Sequence, residues 1–153
     1  MFKKTGCFFL LFIFVFVPVF SQPTPSPGFS NTVDPLDLIG LTLGELIGTY
    51  GIPLSVYAVR GLEVWQDDVV FVYDHGDYYV YRDRVWQVGI GSAKGISVGD
   101  PRGLVSLLLG PDYITRGNSI LFFIDDKSWP LMVRFDFDSN DMVKVIFIYR
   151  TDF

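Results

Sequence analysis

Two hydrophobic periods alternate along the chain. Leu43, Leu46, Ile47 and Tyr50 recur at i, i+3, i+4 and i+7, the spacing of one buried helix face. Thr42 stands where an N-cap belongs, and Glu45 three residues on completes a capping box. Gly51 ends this helix and Pro53 stops it resuming. Upstream, Asp34-Pro35 reads as an N-cap and N1 pair with Leu36, Leu38 and Ile39 behind it, a single helical turn ending at Gly40. From Leu54 the period becomes two. Strands are predicted over 54–60, 68–74, 77–82 and 85–91, with turns at His75-Gly76 and Asp83.

The same order is predicted again downstream. Residues 91–98 connect the halves, Asp100-Pro101 opens a second helix with Leu104, Val105, Leu107 and Leu108 on its apolar side, and Gly110-Pro111 closes it. Strands follow over 113–116, 119–125, 130–138 and 142–150. Gly40, Gly44 and Gly51 match Gly99, Gly103 and Gly110 in spacing. The expected fold class is therefore α+β: two tandem helix-plus-four-stranded antiparallel sheet repeats, 34–93 and 94–153, two-layered, with helices packed on one sheet face. Gly44 and Gly48 are expected to serve close packing of helix on sheet.

Such a sheet has one covered face and one free face, and alternation assigns residues to each. Tyr79, Tyr81, Trp86, Val88 and Ile90 are expected on the helix side. The free face is expected to carry Tyr78, Val80, Arg82 and Gln87, then Met132, Arg134, Asp136 and Lys144. In the last strand, Val143, Val145, Phe147 and Tyr149 alternate with Lys144, Ile146 and Ile148. Tyr57 and Trp65 are expected to be partly exposed. Because Tyr, Trp and Arg are enriched at binding hot spots, Tyr57, Trp65 and the free-face residues form the candidate protein-binding set.

The N-terminus reads as a targeting segment and not as part of the fold. Lys3 and Lys4 precede an apolar run from Phe8 to Phe20, with cleavage expected after Ser21. The alternative is an uncleaved anchor. The run is shorter than the roughly 18–20 apolar residues that span a bilayer, so no stable membrane span is expected after cleavage. Residues 22–33 are rich in Pro, Ser and Thr and read as a linker. Cys7, the only cysteine, precedes the apolar run, so the mature chain has no thiol for a disulfide, a zinc site or a nucleophile. The implied location is outside the cytoplasm, periplasmic or secreted, in a bacterium.

Charge narrows the partners. Of 12 basic residues two lie in the leader, leaving 10 against 17 acidic ones and a net charge near −7. The basic residues are scattered singly, which disfavours binding to nucleic acid or to anionic lipid.

Candidate chemistry is sparse. His75, the single histidine, sits in Asp74-His75-Gly76-Asp77, the composition of a polar turn. Asp125-Asp126-Lys127 and the acids at 136, 138 and 141 resemble a calcium loop but lack the central glycine and the bidentate glutamate. The glycines of the helices are not followed by Gly-Lys-Ser/Thr, so they form no phosphate loop. No catalytic residue, metal site or cofactor is expected, and the chain is not expected to be an enzyme.

Gly40-Leu41-Thr42, Leu46 and Gly51-Ile52-Pro53 resemble the "G-M-T … V … L-G-x-P" signature of the SmpA/OmlA (BamE-like) family. The tandem plan resembles that of the β-lactamase inhibitory proteins. These resemblances imply a two-layer module acting by protein–protein contact in the envelope, with no catalytic residues. The expected function is an exported, non-enzymatic protein-binding module whose partner is an envelope or secreted protein. The alternative is a secreted hydrolase inhibitor.

Overall fold

The computed structural model describes residues 34–60, 68–124 and 129–152. The leader, its cleavage site, the linker, Trp65 and Asp125-Asp126-Lys127 lie outside the described residues. Helix α1 spans Pro35–Leu38, and the Asp34 carboxylate accepts from the Leu36 N–H. Helix α2 spans Leu43–Tyr50 and carries both halves of the capping box. The Thr42 hydroxyl accepts from the Glu45 N–H at 3.1 Å, and the Glu45 carboxylate accepts from the Thr42 N–H at 2.8 Å. Strands β1 (Ser55–Val59), β2 (Asp68–Tyr73), β3 (Gly76–Tyr81) and β4 (Arg84–Ile90) follow. A short hairpin, β5 (Ser92–Ala93) and β6 (Ile96–Ser97), leads to helix α3 (Arg102–Leu109). Then come β7 (Ile114–Arg116), β8 (Ser119–Ile124), β9 (Leu131–Phe137) and β10 (Val143–Arg150).

Eight of these strands form one antiparallel sheet in the order β1-β2-β3-β4-β10-β9-β8-β7. This corrects the expected fold class. The described residues form mainly one large sheet with three short helices, and not two tandem helix-plus-sheet repeats. The reason is the β4–β10 pairing, in which Gln87, Val88, Gly89 and Ile90 lie opposite Tyr149, Ile148, Phe147 and Ile146. Edge strands expose unpaired N–H and C=O groups, and joining β4 to β10 satisfies two such edges at once.

One core spans the joined sheet. It gathers Phe71, Tyr78, Val88, Ile148, Val133 and Phe122, which stand in a single row across six strands. Leu36 and Leu38 of α1, Leu46 of α2, Ile96 of the hairpin and Val105 of α3 close over it. Most of the helical surface is less buried than periodicity predicts. Ile47, Leu107 and Leu108 are exposed, Leu107 by 77%. A Cβ at Gly48 would meet nothing within 4 Å, and one at Gly44 only the Thr42 hydroxyl at 3.9 Å, so neither glycine serves helix-on-sheet contact. The start of α3 also shifts by one residue. Pro101 is the N-cap and has no side-chain cap, while the Asp100 carboxylate accepts from the Ser97 N–H.

Candidate functional site

The sheet face away from the helices is set by register. Opposite partners in antiparallel strands share a face. One row on this face runs Tyr57, Val70, Tyr79, Gln87, Tyr149, Met132 and Phe123. The next runs Ser55, Val72, Asp77, Gly89, Phe147, Arg134, Leu121 and Ile114. Val70, Leu121 and Met132 are buried yet stand outside the core cluster, as expected for residues of the second face.

Two irregularities decide which side chains reach this face. The β3–β4 register shifts between Tyr79 and Val80, so that Tyr79 faces Gln87 while Val80 faces Val85, with Trp86 as the extra residue. The β9–β10 register shifts between Val143 and Val145, with Lys144 as the extra residue. An added residue re-aims the side chains beyond it. In β10 the shift sends Val143, Ile146 and Ile148 to the core and Val145, Phe147 and Tyr149 to the opposite face.

Several sequence assignments are corrected accordingly. Tyr78 and Val80 lie in the core, Tyr78 with no exposed surface. Tyr79 and Trp86, expected under the helices, stand on the opposite face. Phe147 and Tyr149 join them. Arg82 occupies the β3–β4 turn with Asp83, both at positive φ (47° and 63°), and its guanidinium lies 5.1 Å from the Tyr81 ring centre. Lys144 is exposed in the β10 bulge. Gln87, Met132, Arg134 and Asp136 lie on the face away from the helices, and Tyr57 lies at its margin, 45% exposed. The alternation within β9 predicted its residues because β9 itself carries no inserted residue. Nothing in the sequence marks Trp86 or Lys144 as the bulge positions.

At the centre of this face is Arg134. Its guanidinium carbon lies 4.6 Å from the Phe147 ring centre and 5.9 Å from that of Tyr149. Its Nε is 3.0 Å from Asp136 Oδ1, an ion-pair distance without hydrogen-bond alignment, and Asp136 also accepts from the Ser119 hydroxyl. Tyr79 meets Phe147 edge-on at 6.0 Å, and Trp86 meets Tyr149 edge-on at 6.5 Å. The Trp86 indole N–H donates to Asp68 Oδ1 at 2.8 Å, and the Tyr149 hydroxyl donates to Met132 Sδ at 3.3 Å. Gly89 makes room for this packing, since a Cβ there would come within 3.3 Å of the Phe147 ring. Burial pushes the Tyr79 hydroxyl up to about 12, with nearby Tyr57, Asp77 and Asp68 adding to the shift. Burial also raises that of Tyr149, against the opposing charges of Arg134 and Arg116. Both phenols are therefore neutral hydrogen-bonding groups at neutral pH. The result is a band of aromatic side chains around one half-buried cation, suited to contact with a protein surface or peptide.

Of the other sequence candidates, His75 and the segment from Asp136 to Asp141 lie within the described residues. His75 sits in the β2–β3 turn against Tyr50 (4.4 Å between ring centres), with Tyr73 and Tyr78 each at 5.6 Å. Desolvation holds its imidazole below the ordinary value of 6.5, while Asp74 acts in the opposite direction. The folded state thus binds this proton less readily than the unfolded chain. Its contribution to stability is complete above about pH 6.5 and declines as pH falls below that value. The thermal midpoint should drop between pH 7.5 and 5.5, and His75→Gln should flatten that slope. An unchanged slope in the variant would exclude His75 as the cause. Asp136 belongs to β9, and residues 138–141 form the β9–β10 turn. Asp138 Oδ1 accepts from the Asn140 and Met142 N–H groups, and Asp141 pairs with Arg102 at 2.9 Å. Among the described residues no group of three or more His, Cys, Asp or Glu could hold a metal ion.

On the helix side there is a cleft of about 570 Å³. Asp34, Leu36 and the hairpin residues Ser92, Ala93, Lys94, Gly95 and Ser97 line it, with Ile124, Val133 and Ile148 of the sheet. No helix among the described residues is long and apolar enough to cross a membrane.

No protein-family model matches the chain, and no curated protein matches it in sequence. Two solved structures resemble it. One is an extracellular protein containing a SCP domain from Bacillus anthracis, at TM-score 0.53 and 13% identity, covering 86% of this chain and 50% of the other. The other is a cysteine-rich secretory protein from Staphylococcus aureus, at TM-score 0.46 and 13% identity, covering 76% of this chain and 46% of the other. This chain spans about half the length of each. The first likeness shows that the fold recurs within part of a protein described as extracellular. It also overturns the resemblance to the SmpA/OmlA (BamE-like) family and to the β-lactamase inhibitory proteins. The first resemblance rested on glycine, threonine and proline positions that cap helices in many folds, and the second on a tandem plan that the single eight-stranded sheet replaces.

Proposed function

We propose that this chain is an exported, non-enzymatic binding module that docks a protein partner on the sheet face centred on Arg134. The observation that carries this reading is the cluster of Arg134, Phe147, Tyr149, Tyr79 and Trp86 on a face that no helix packs against among the described residues. Export is supported by the leader read from the sequence, and the extracellular description of the Bacillus anthracis protein accords with it. The partner is an envelope or secreted protein. The inhibitor alternative rested on a resemblance that does not hold, and no observation favours it.

The test is capture of partners from envelope extract and culture medium by immobilised protein. Arg134→Ala combined with Tyr149→Ala should reduce capture at least tenfold, equivalent to about 1.4 kcal/mol. A control at exposed Leu107 on the far side, Leu107→Ala, should capture as wild type does. Equal capture by all three, with unchanged melting curves, would exclude this face.

A further inference from the structure

The two edges of the sheet are not alike. The β7 edge has three residues, includes Arg116 and ends at Gly117. The β1 edge has five, Ser-Val-Tyr-Ala-Val, with no charge and no proline. It pairs with β2 at five consecutive positions without a register shift, so no bulge twists it away. All five of its residues are exposed, and no described strand pairs with its outer side. Edge strands of soluble proteins are ordinarily blunted by charge, proline, bulges or shortness, and this one has none of these.

Exposed apolar side chains gather along the same edge. Ile52 (90%), Leu54 (67%) and Val56 (50%) run directly along it, with Tyr57 and Val59 on the strand and Val69 on the neighbouring one. Such a concentration is a mark of an interaction site.

The strand is also complementary to itself. An antiparallel pair with its two-fold axis at Tyr57 sets Val56 against Ala58 of the other copy, Ser55 against Val59, and Leu54 against Arg60. No charge meets a like charge, although the chain as a whole is acidic. We propose that two copies of this chain associate through β1, antiparallel about Tyr57, to make one continuous sheet of both subunits. A closed two-fold contact of this kind uses the same patch on both partners and cannot propagate into fibres. The edge is distinct from the Arg134 face, so either reading can fail while the other stands.

The absence of cysteine downstream of Cys7 makes the pairing directly testable. In the exported protein carrying Cys7→Ser, Tyr57→Cys would face itself across the axis. Opposite residues in antiparallel strands have Cα atoms about 4.5–5.5 Å apart, within the roughly 4.4–6.8 Å a disulfide spans. Ala58→Cys would lie about 8 Å from its counterpart in the same register, from a rise of about 3.4 Å per residue and a strand spacing of about 4.8 Å. Mild oxidation should therefore convert most of Tyr57→Cys to a covalent dimer, leaving Ala58→Cys and the far-edge Phe123→Cys largely monomeric. Sedimentation should show a wild-type dimer that Val56→Lys, at an exposed position, shifts to monomer while the monomer keeps the wild-type far-UV circular dichroism spectrum. A monomeric wild type at high micromolar concentration would overturn the proposal, as would cross-linking at 57 no better than at 58 or 123.

Discussion

Tyr78→Ala is expected to destabilise the fold by about 3–5 kcal/mol, the cost of truncating a fully buried large aromatic side chain. Tyr78 has no exposed surface and stands in the core row between Phe71 and Val88. Its ring meets Tyr73 edge-on at 5.4 Å and lies 5.9 Å from Tyr50 and 5.6 Å from His75. Truncation would open a cavity where α2 ends over the β2–β3 hairpin. Tyr78→Phe should behave differently. The Tyr78 hydroxyl lies beside that of Tyr50 without good hydrogen-bond alignment, so its removal takes away at most one weak polar contact and should leave stability within about 1 kcal/mol of wild type. Urea denaturation of both variants checks this. A Tyr78→Ala protein as stable as wild type would mean that the ring is not in the core. The pair also shows why Tyr78 is unsuitable for mapping a binding face: its loss would act through the fold.

Phe135→Ala is expected to cost a similar amount, about 3–5 kcal/mol. Phe135 is fully buried on β9 and meets Phe122 edge-on at 6.4 Å. The shape of its unfolding curve is as informative as its midpoint. Tyr78 and Phe135 belong to one core cluster, joined through β4 and β10. A single cooperative unit unfolds in one transition whichever probe is used. Far-UV circular dichroism and tryptophan fluorescence should therefore coincide for Phe135→Ala, and both should move together. Two separated transitions, with only one displaced, would show that the parts on either side of the β4–β10 pairing unfold independently.

Much of the local structure was legible in the sequence, because it depends on neighbouring residues. The Thr42–Glu45 capping box, the Asp34 cap, the ends of the helices at Gly51 and Gly110, and the existence of eight long-sheet strands all follow from chemistry within a few positions of each residue. The faces of β9 were legible too, since regular alternation needs no partner to be read. The faces of β3 and β10 were not, whereas in β4 Gln87, Val88 and Ile90 were read correctly and only Trp86 was not. One wrong choice of parity placed Tyr78 outside and Tyr79 inside, and the extra residues at Trp86 and Lys144 altered parity within their strands.

The sequence by itself determined the caps and ends of the helices and the positions of the eight strands of the large sheet, though not the β5–β6 hairpin. The tertiary structure alone decided that β4 pairs with β10, and so that the strands of both halves form one continuous sheet, which periodicity left open. It also decided which side chains surround Arg134. Both outcomes depend on partners distant in sequence. Strand pairing is chosen by long-range edge satisfaction, and a bulge is defined only against the strand it faces.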